Sequence, residues 1–290
     1  MYTSALHIPQ WQGTASARNY QEGAGISRTL VEKLMTGRVR DVAIPADEPM
    51  FLKHGVLGHD ALVRNFAAIQ KAMRKCEGPV FTIGGDCSVD YVPIAEVLKR
   101  HNGEVGLVWI DTHPDLNVPA SSVSRHFHGM IVRALLGEAP SPELQAFVPT
   151  LLPVKNLFYV APHDIDPGEV QYLRDKGVFV LDVAHTRVGN VEPLLAAIRA
   201  AGLSKVHLHL DLDVIDPDIF PHVATPVPEG VTPENVVTVL QTLRNNFEVV
   251  GGAMTEISPN PHFNADNIAM LLHILTQGFG FTPVKAERAA

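Results

Sequence analysis

The chain has 290 residues, 46% hydrophobic and 19% charged, and its 23 Lys and Arg against 31 Asp and Glu leave a net charge of −8. This hydrophobic content excludes disorder for the bulk of the chain, no run approaches the ~18 apolar residues of a membrane span, and an acidic chain without a basic patch argues against nucleic acid as partner. Two cysteines, Cys76 and Cys87, are too few for a disulfide scaffold; with no signal-peptide pattern at the N-terminus they point to a reducing cytoplasm.

Short β-branched runs alternate with longer stretches of helical period. In chain order, the pattern predicts a strand at Ala5–Ile8, helices at Gly25–Met35 and Val56–Lys75, and a strand at Val80–Ile83. A helix at Val89–His101 follows, opened by Ser88, then a strand at Val105–Ile110 and a helix at Met130–Leu136. Gly137–Pro153, with four prolines, reads as a surface excursion. Beyond it come a strand at Leu157–Ala161, a helix at Pro167–Lys176 behind Asp166 with Glu169, and strand and helix at Val178–Asp182 and Val191–Ala201. The last elements are a strand at Val206–Asp211, a helix at Pro233–Asn245 behind Thr232 with Asn235, a strand at Val249–Thr255 and a helix at Ala265–Thr276. Proline suits a first helical position because it has no N–H to leave unpaired. Such alternation predicts an α/β fold, a mostly parallel sheet covered by helices on both faces. No repeat, heptad or linker interrupts it, so one domain is expected over residues 1–290.

Ligands of open parallel sheets bind beyond the carboxyl ends of the strands. Five of these strand ends carry acidic or metal-capable residues: Gly84-Gly85-Asp86-Cys87-Ser88, Asp111-Thr112-His113-Pro114-Asp115, His163-Asp164-Ile165-Asp166-Pro167-Gly168-Glu169, Asp211-Leu212-Asp213 and Glu256. On an extended backbone alternate side chains point one way, so Asp111, His113 and Asp115 are expected to project together, as are Asp211 and Asp213. Two carboxylates and an imidazole suit a divalent ion of Mn, Fe, Co or Zn character. Four buried carboxylates repel unless neutralised, and two divalent ions balance four negative charges. Paired metals make a hydroxide nucleophile near neutral pH. No Lys or Arg other than Arg125 stands beside these motifs, so the acidity points away from phosphoesters and towards a cationic substrate.

The first, second and fourth of these segments, the last extended through Val214-Ile215-Asp216-Pro217, resemble the three signatures of the arginase/agmatinase (ureohydrolase) family, in its order and at its spacing. The resemblance implies a three-layer α-β-α sandwich with a sheet of about eight strands. It also implies two Mn²⁺ ions and a hydrolase that releases urea and an amine from a guanidino substrate, with L-arginine or a close analogue expected first. N-hydroxy-L-arginine, agmatine or a guanidino acid are the alternatives, followed by a non-catalytic metal-binding relative. Carried over by position, one ion would be held by Cys87, Asp111, Asp115 and Asp211, and the other by His113, Asp111, Asp211 and Asp213. The catalytic residues would be His128, Glu256 and Asp115, with His128 as proton shuttle and Glu256 as guanidinium anchor. Asp166 and Glu169 would face the substrate's ammonium group, Asn117 and Ser124 its carboxylate with His126 alongside, and Thr225 the guanidinium pocket. A homo-oligomer is also consistent with the family.

Three positions depart from the family pattern. Cys87 stands where a ligand histidine is usual, Thr112 where Ala or Ser is usual, and His126 replaces a polar residue beside the carboxylate pocket. A thiolate at Cys87 adds a negative charge, which admits softer ions such as Co, Fe, Ni or Zn and favours a less basic guanidino group such as an N-hydroxyguanidine.

Overall fold

A computed structural model describes residues 2–14, 19–35 and 37–282. Its strands are β1 (Ser4–Ile8), β2 (Val39–Asp41), β3 (Leu52–Lys53), β4 (Val56–Leu57), β5 (Val80–Gly84), β6 (Gly106–Ile110), β7 (Leu157–Val160), β8 (Phe179–Leu181), β9 (Lys205–Asp211) and β10 (Glu248–Thr255). Its helices are α1 (Asn19–Leu34), α2 (His59–Met73), α3 (Tyr91–Arg100), α4 (Ile131–Leu135), α5 (Pro142–Gln145), α6 (Pro167–Lys176), α7 (Val183–Arg187), α8 (Glu192–Ala200), α9 (Pro233–Asn246) and α10 (Ala265–His273). Eight strands form one sheet in the order β2-β1-β5-β10-β9-β6-β7-β8. Every neighbouring pair in it is parallel.

Strand alternation sorts the apolar side chains into two cores. Val108 and Ile110 of β6 and Phe158 and Val160 of β7 pack with α1, α8, α9 and α10. Leu107, Trp109, Leu157 and Tyr159 point the other way, against α2, α3 and α4. Burial on both faces explains the near-continuous apolar strands. The result is the expected three-layer α-β-α arrangement.

Local chemistry sets the element boundaries, and four expectations need correction. The run from Val56 does not begin as a helix: Val56–Leu57 pairs with Leu52–Lys53, and α2 starts only after Gly58, whose φ of 74° is left-handed. Helix α1 begins six residues earlier than expected, because burial of Tyr20 and Ala24 overrides the poor propensity of Gly23 and Gly25. Ser88 is not the cap before α3; the Asp86 side chain accepts from the Ser88 N–H and opens a 3₁₀ turn at Cys87–Asp90. Residues 137–153 are only in part a surface excursion, since Glu138, Glu143 and Leu151 are exposed but the segment is anchored inward. Ser141 caps α5, and Leu144, Val148 and Leu152 are buried in the second core. The predicted capping boxes at Asp166/Glu169 and Thr232/Asn235 both form.

Phe66 of α2 is fully buried, with its ring 5.2 Å from Tyr91, 5.6 Å from Phe127 and 5.7 Å from Phe147. Phe66→Ala is expected to cost about 3–5 kcal/mol, read as a lower urea midpoint at unchanged m-value; a loss below about 1 kcal/mol would mean the site can collapse.

Candidate metal centre

The central strands β5, β10, β9 and β6 lie side by side. Their register pairs Ile83 with Met254, Thr255 with Asp211, and Leu210 with Ile110. Gly84, Thr255, Asp211 and Asp111 therefore stand at one level, with Gly85 and Glu256 one residue beyond. Gly85 is required by packing, since a Cβ there would lie 1.8 Å from the Gln10 carbonyl oxygen. The next residue, Asp86, accepts from the Gly13 N–H at 2.9 Å and the Ser88 N–H at 2.9 Å. Cys87 then donates its backbone N–H to Glu256 Oε1 at 2.8 Å. The first and last of the site-forming loops are thereby tied together.

The carboxylates do not converge by strand alternation as expected. β6 ends at Ile110, and the chain turns as His113 N–H donates to Asp111 Oδ1 at 2.6 Å. Asp115 adopts a φ of 52°. After β9 the Asp213 N–H likewise donates to Asp211 Oδ1 at 2.7 Å, and Asp213 sits in a 3₁₀ turn. Aspartate favours such turns because its side chain can accept from the backbone two residues on. His113 Nδ1 lies 3.0 Å from Asp213 Oδ2 and 3.6 Å from Asp111 Oδ1. Cys87 Sγ lies 3.0 Å from Asp211 Oδ2. Asp111, His113 and Asp213 can offer one cation three donors within 4.8 Å of one another; so can Cys87, Asp211 and Glu256.

Burial and mutual repulsion dominate the electrostatics. Burial, and then the Asp213 charge, pushes Asp111 up to about 7. Asp115 and Asp211 are driven well above the carboxylate range, first by burial and then by neighbouring aspartates. Burial and the Asp211 charge push the Cys87 thiol up as well. Burial raises Asp213 too, but the adjacent His113 outweighs it and holds this carboxyl low. Asp115 Oδ2 and Glu256 Oε2 are buried without a hydrogen-bond partner. Stranded carboxylate oxygens beside an imidazole and a thiol make a donor set that fits divalent cations.

Above this floor opens a cavity of about 390 Å³, lined by Thr14, Tyr20, His113, Asp115, Asn117, Ser124, His126, His128, Gly129, Asp164, Asp166, Glu169, Ala224 and Thr225. None of these is Lys or Arg. His128 Nδ1 lies 3.4 Å from Glu256 Oε1. Burial lowers the His128 pKa, yet the bond to Glu256 and its charge bring it above its ordinary value. Thr225 Oγ1 donates to Asp213 Oδ2 at 3.0 Å. Asn117 Nδ2 donates to Asp166 Oδ2 at 2.8 Å, and its Oδ1 accepts from Ser121. Ser124 Oγ accepts from the His126 N–H at 3.2 Å. Glu169 is committed to backbone, accepting from Leu116 N–H at 2.8 Å and Asp166 N–H at 3.0 Å. Burial pushes Glu169 up to about 7.

Several residues at the centre escaped the sequence reading. His207 and His209 of β9, Trp109 of β6 and Asp90 are all buried beneath or beside Cys87. Trp109 Nε1 donates to Asp111 Oδ2 at 2.8 Å. The available signal was the alternation His207-x-His209-x-Asp211, which on a genuine strand points all three side chains one way. Tyr20, which reaches the cavity from α1, carries no motif.

The arginase-family profile matches residues 12–278. The chain belongs to the arginase family. That family comprises hydrolases acting on amidino C–N bonds. The sequence is 33% identical to an arginase of Entamoeba histolytica over 160 residues, 54% of this chain and 54% of that protein. It is 29% identical to an arginase of Staphylococcus aureus over 204 residues, 69% of this chain and 67% of that one. The aligned stretch thus spans about half of the Entamoeba relative. The solved structure of an E. histolytica arginase with L-ornithine superimposes with a TM-score of 0.85 at 22% identity, covering 96% of this chain and 97% of that one. A proclavaminate amidino hydrolase of Streptomyces clavuligerus superimposes at 0.69 with 21% identity, covering 93% and 87%. At these identities the superpositions speak for the fold alone.

The raised carboxyl groups carry a sign. A group whose pKa rises on folding favours the fold while protonated, so its stabilisation is complete below about pH 4 and is lost as pH climbs. Metal-free protein should therefore lose stability towards pH 7, where Asp111 ionises. Asp211→Asn removes one of the repelling charges and keeps the acceptor for the Asp213 N–H. Metal-free Asp211→Asn should melt no lower than wild type at pH 8, yet show none of the rise in Tm expected for the wild type with Mn²⁺. A variant that melts lower without metal, and still responds to Mn²⁺, would contradict this account.

Proposed function

We propose that this arginase-family hydrolase cleaves the guanidino C–N bond of L-arginine or a close analogue, releasing urea and an amine. The observation that carries this reading is the acidity of the cavity: carboxyl groups of Asp115, Asp164, Asp166 and Glu169 line it, and among the described residues no Lys or Arg does. Such a pocket attracts a compact cation and repels phosphates. Glu256, its Oε2 buried and unpartnered, is the anchor for the guanidinium. His128, in contact with Glu256, carries the proton to the departing amine. Thr225 holds Asp213 in place through its hydroxyl. The whole chain acts as one catalytic domain.

We assign two divalent ions to the carboxylate floor, Mn²⁺ first, with Cys87, Asp111, Asp115 and Asp211 for one and His113, Asp111, Asp211 and Asp213 for the other. Ions held there supply Lewis acidity that lowers the pKa of water towards neutrality. Asp111 and Asp211 would contribute to both sites.

A second reading concerns the far end of the substrate. A substrate carboxylate would meet Asn117, whose amide N–H already serves Asp166, and His126, which burial and then His128 bring down to about 4, leaving it uncharged. That scarcity of positive charge favours a guanidino amine such as agmatine. The Asp166 carboxylate can receive an ammonium group in either case, whereas the committed Glu169 acts by holding the turn.

Release of urea, or of hydroxyurea from N-hydroxy-L-arginine, by Mn²⁺-loaded protein over L-arginine, N-hydroxy-L-arginine, agmatine and guanidino acids tests both readings. Neither product from any of them would refute the first. On the best substrate His128→Ala should lower kcat ~10²–10⁴-fold with two metal equivalents retained. Glu256→Gln should weaken kcat/KM because one partner of a buried ion pair is lost. Full activity in either variant would remove that residue from its role.

A further inference from the structure

Strand β9 turns Val206, Leu208 and Leu210 into the first core, which sends His207, His209 and Asp211 to the opposite face. There the Asp90 carboxylate lies 2.8 Å from His207 Nε2 and 2.9 Å from His209 Nδ1. A carboxylate oxygen only accepts, so the ring nitrogen facing it carries the proton. In a neutral His209 ring, whose Nδ1 faces Asp90, that leaves Nε2 with a lone pair. His209 Nε2 points at Cys87 Sγ, 3.3 Å away, and at Thr255 Oγ1, 3.4 Å away. The ring is fully buried and lies flat against Trp109, with centroids 3.5 Å apart and planes 1° from parallel.

On the metal-centre reading above, we propose that His209 Nε2 is a ligand of the ion held by Cys87, with Asp90 as the carboxylate that orients its ring. Thiolate and imidazole donors sit at roughly 2.3 Å and 2.1 Å from a bound ion. Two such donors at angles between a right angle and a tetrahedral one stand about 3.1–3.6 Å apart. The Cys87 Sγ to His209 Nε2 separation of 3.3 Å falls in that range. Donor atoms of Cys87, Asp111 and His209 lie within 4.8 Å of one another. A carboxylate–histidine–metal chain is also the usual way a protein fixes the tautomer of a ligand imidazole. A hydrogen bond from His209 to a Cys87 thiolate would need both ring nitrogens protonated and so a full positive charge at a buried site, whereas a bond from a Cys87 thiol to Nε2 leaves Cys87 uncharged and gives no sulfur-to-cobalt band. His209 as ligand gives the ion a neutral donor beside the anionic Cys87, and makes Asp90 a positioning residue.

Cobalt-loaded wild-type protein decides the matter without an activity assay. The near-ultraviolet sulfur-to-cobalt band reports Cys87. A slowly exchanging, hyperfine-shifted ring N–H proton in the ¹H NMR spectrum reports His209, because its Nδ1–H is buried against Asp90. Both are expected. His209→Gln should lose the shifted proton and keep the sulfur band, and Cys87→Ser should do the reverse. Asp90→Asn should weaken cobalt binding about 10–100-fold. Should His209→Gln fail to fold, histidine ring ¹⁵N labelling and an Overhauser contact to the Trp109 indole assign the proton in the wild type. A sulfur band without any such proton, or a proton that survives in folded His209→Gln, overturns the proposal and leaves the metal centre standing. Failure to take up cobalt at all refutes the metal centre and this inference together.

Discussion

Repulsion among buried carboxylates is the constraint around which this molecule is organised. Asp111, Asp115, Asp211, Asp213 and Glu256 are each less than 5% exposed, at the ends of adjacent strands. A Coulomb cost of that kind is tolerated only where surrounding structure holds the groups in place and cations can answer them. The holding is visible throughout. Backbone N–H groups of His113, Asp213 and Cys87 donate to Asp111, Asp211 and Glu256, and the Trp109 indole donates to Asp111. Some of the strained backbone falls in the same place: Asp115 and Glu256 have φ values of 52° and 69°, which a non-glycine residue adopts only where its surroundings enforce it.

The sheet supplies the rigidity this needs. The four strands that carry the ligands are consecutive neighbours, and their hydrogen-bond register fixes the height at which each side chain leaves the sheet. A one-residue slip would turn the ligand face of β9 into the core and its Val206–Leu208–Leu210 face into the site. Packing on both sides forbids that slip. The precision of the site is therefore a property of the two apolar cores as much as of its polar residues.

Fold class and the clustering of the principal acidic residues were legible because their signals are local. Apolar runs between helical stretches predict the parallel sheet, and motif spacing brings Asp111, His113, Asp211 and Asp213 together at strand ends. Proline behind Asp166 and Thr232 marks true helix starts. What was not legible depended on tertiary geometry. The pleat argument for Asp111, His113 and Asp115 reached the right cluster for the wrong reason, because side chain–backbone turns replace the strand there. Gly58 inside an apolar run, the early start of α1 and the burial of Leu144, Val148 and Leu152 are all set by packing partners distant in sequence. Asp90 reads as an ordinary helix-start aspartate until the histidines of β9 are seen facing it.

Gly13 joins parts that look independent. Its N–H is held by Asp86 and its carbonyl oxygen accepts from the His128 N–H at 3.2 Å, while a Cβ there would fall 2.1 Å from Asp86 Oδ1. A single residue thus couples the loop that presents Cys87 to the loop that presents His128. A side chain at Gly13 would push against Asp86 and displace both loops at once, moving His128 relative to Cys87 while every other residue of the centre stayed in the sequence.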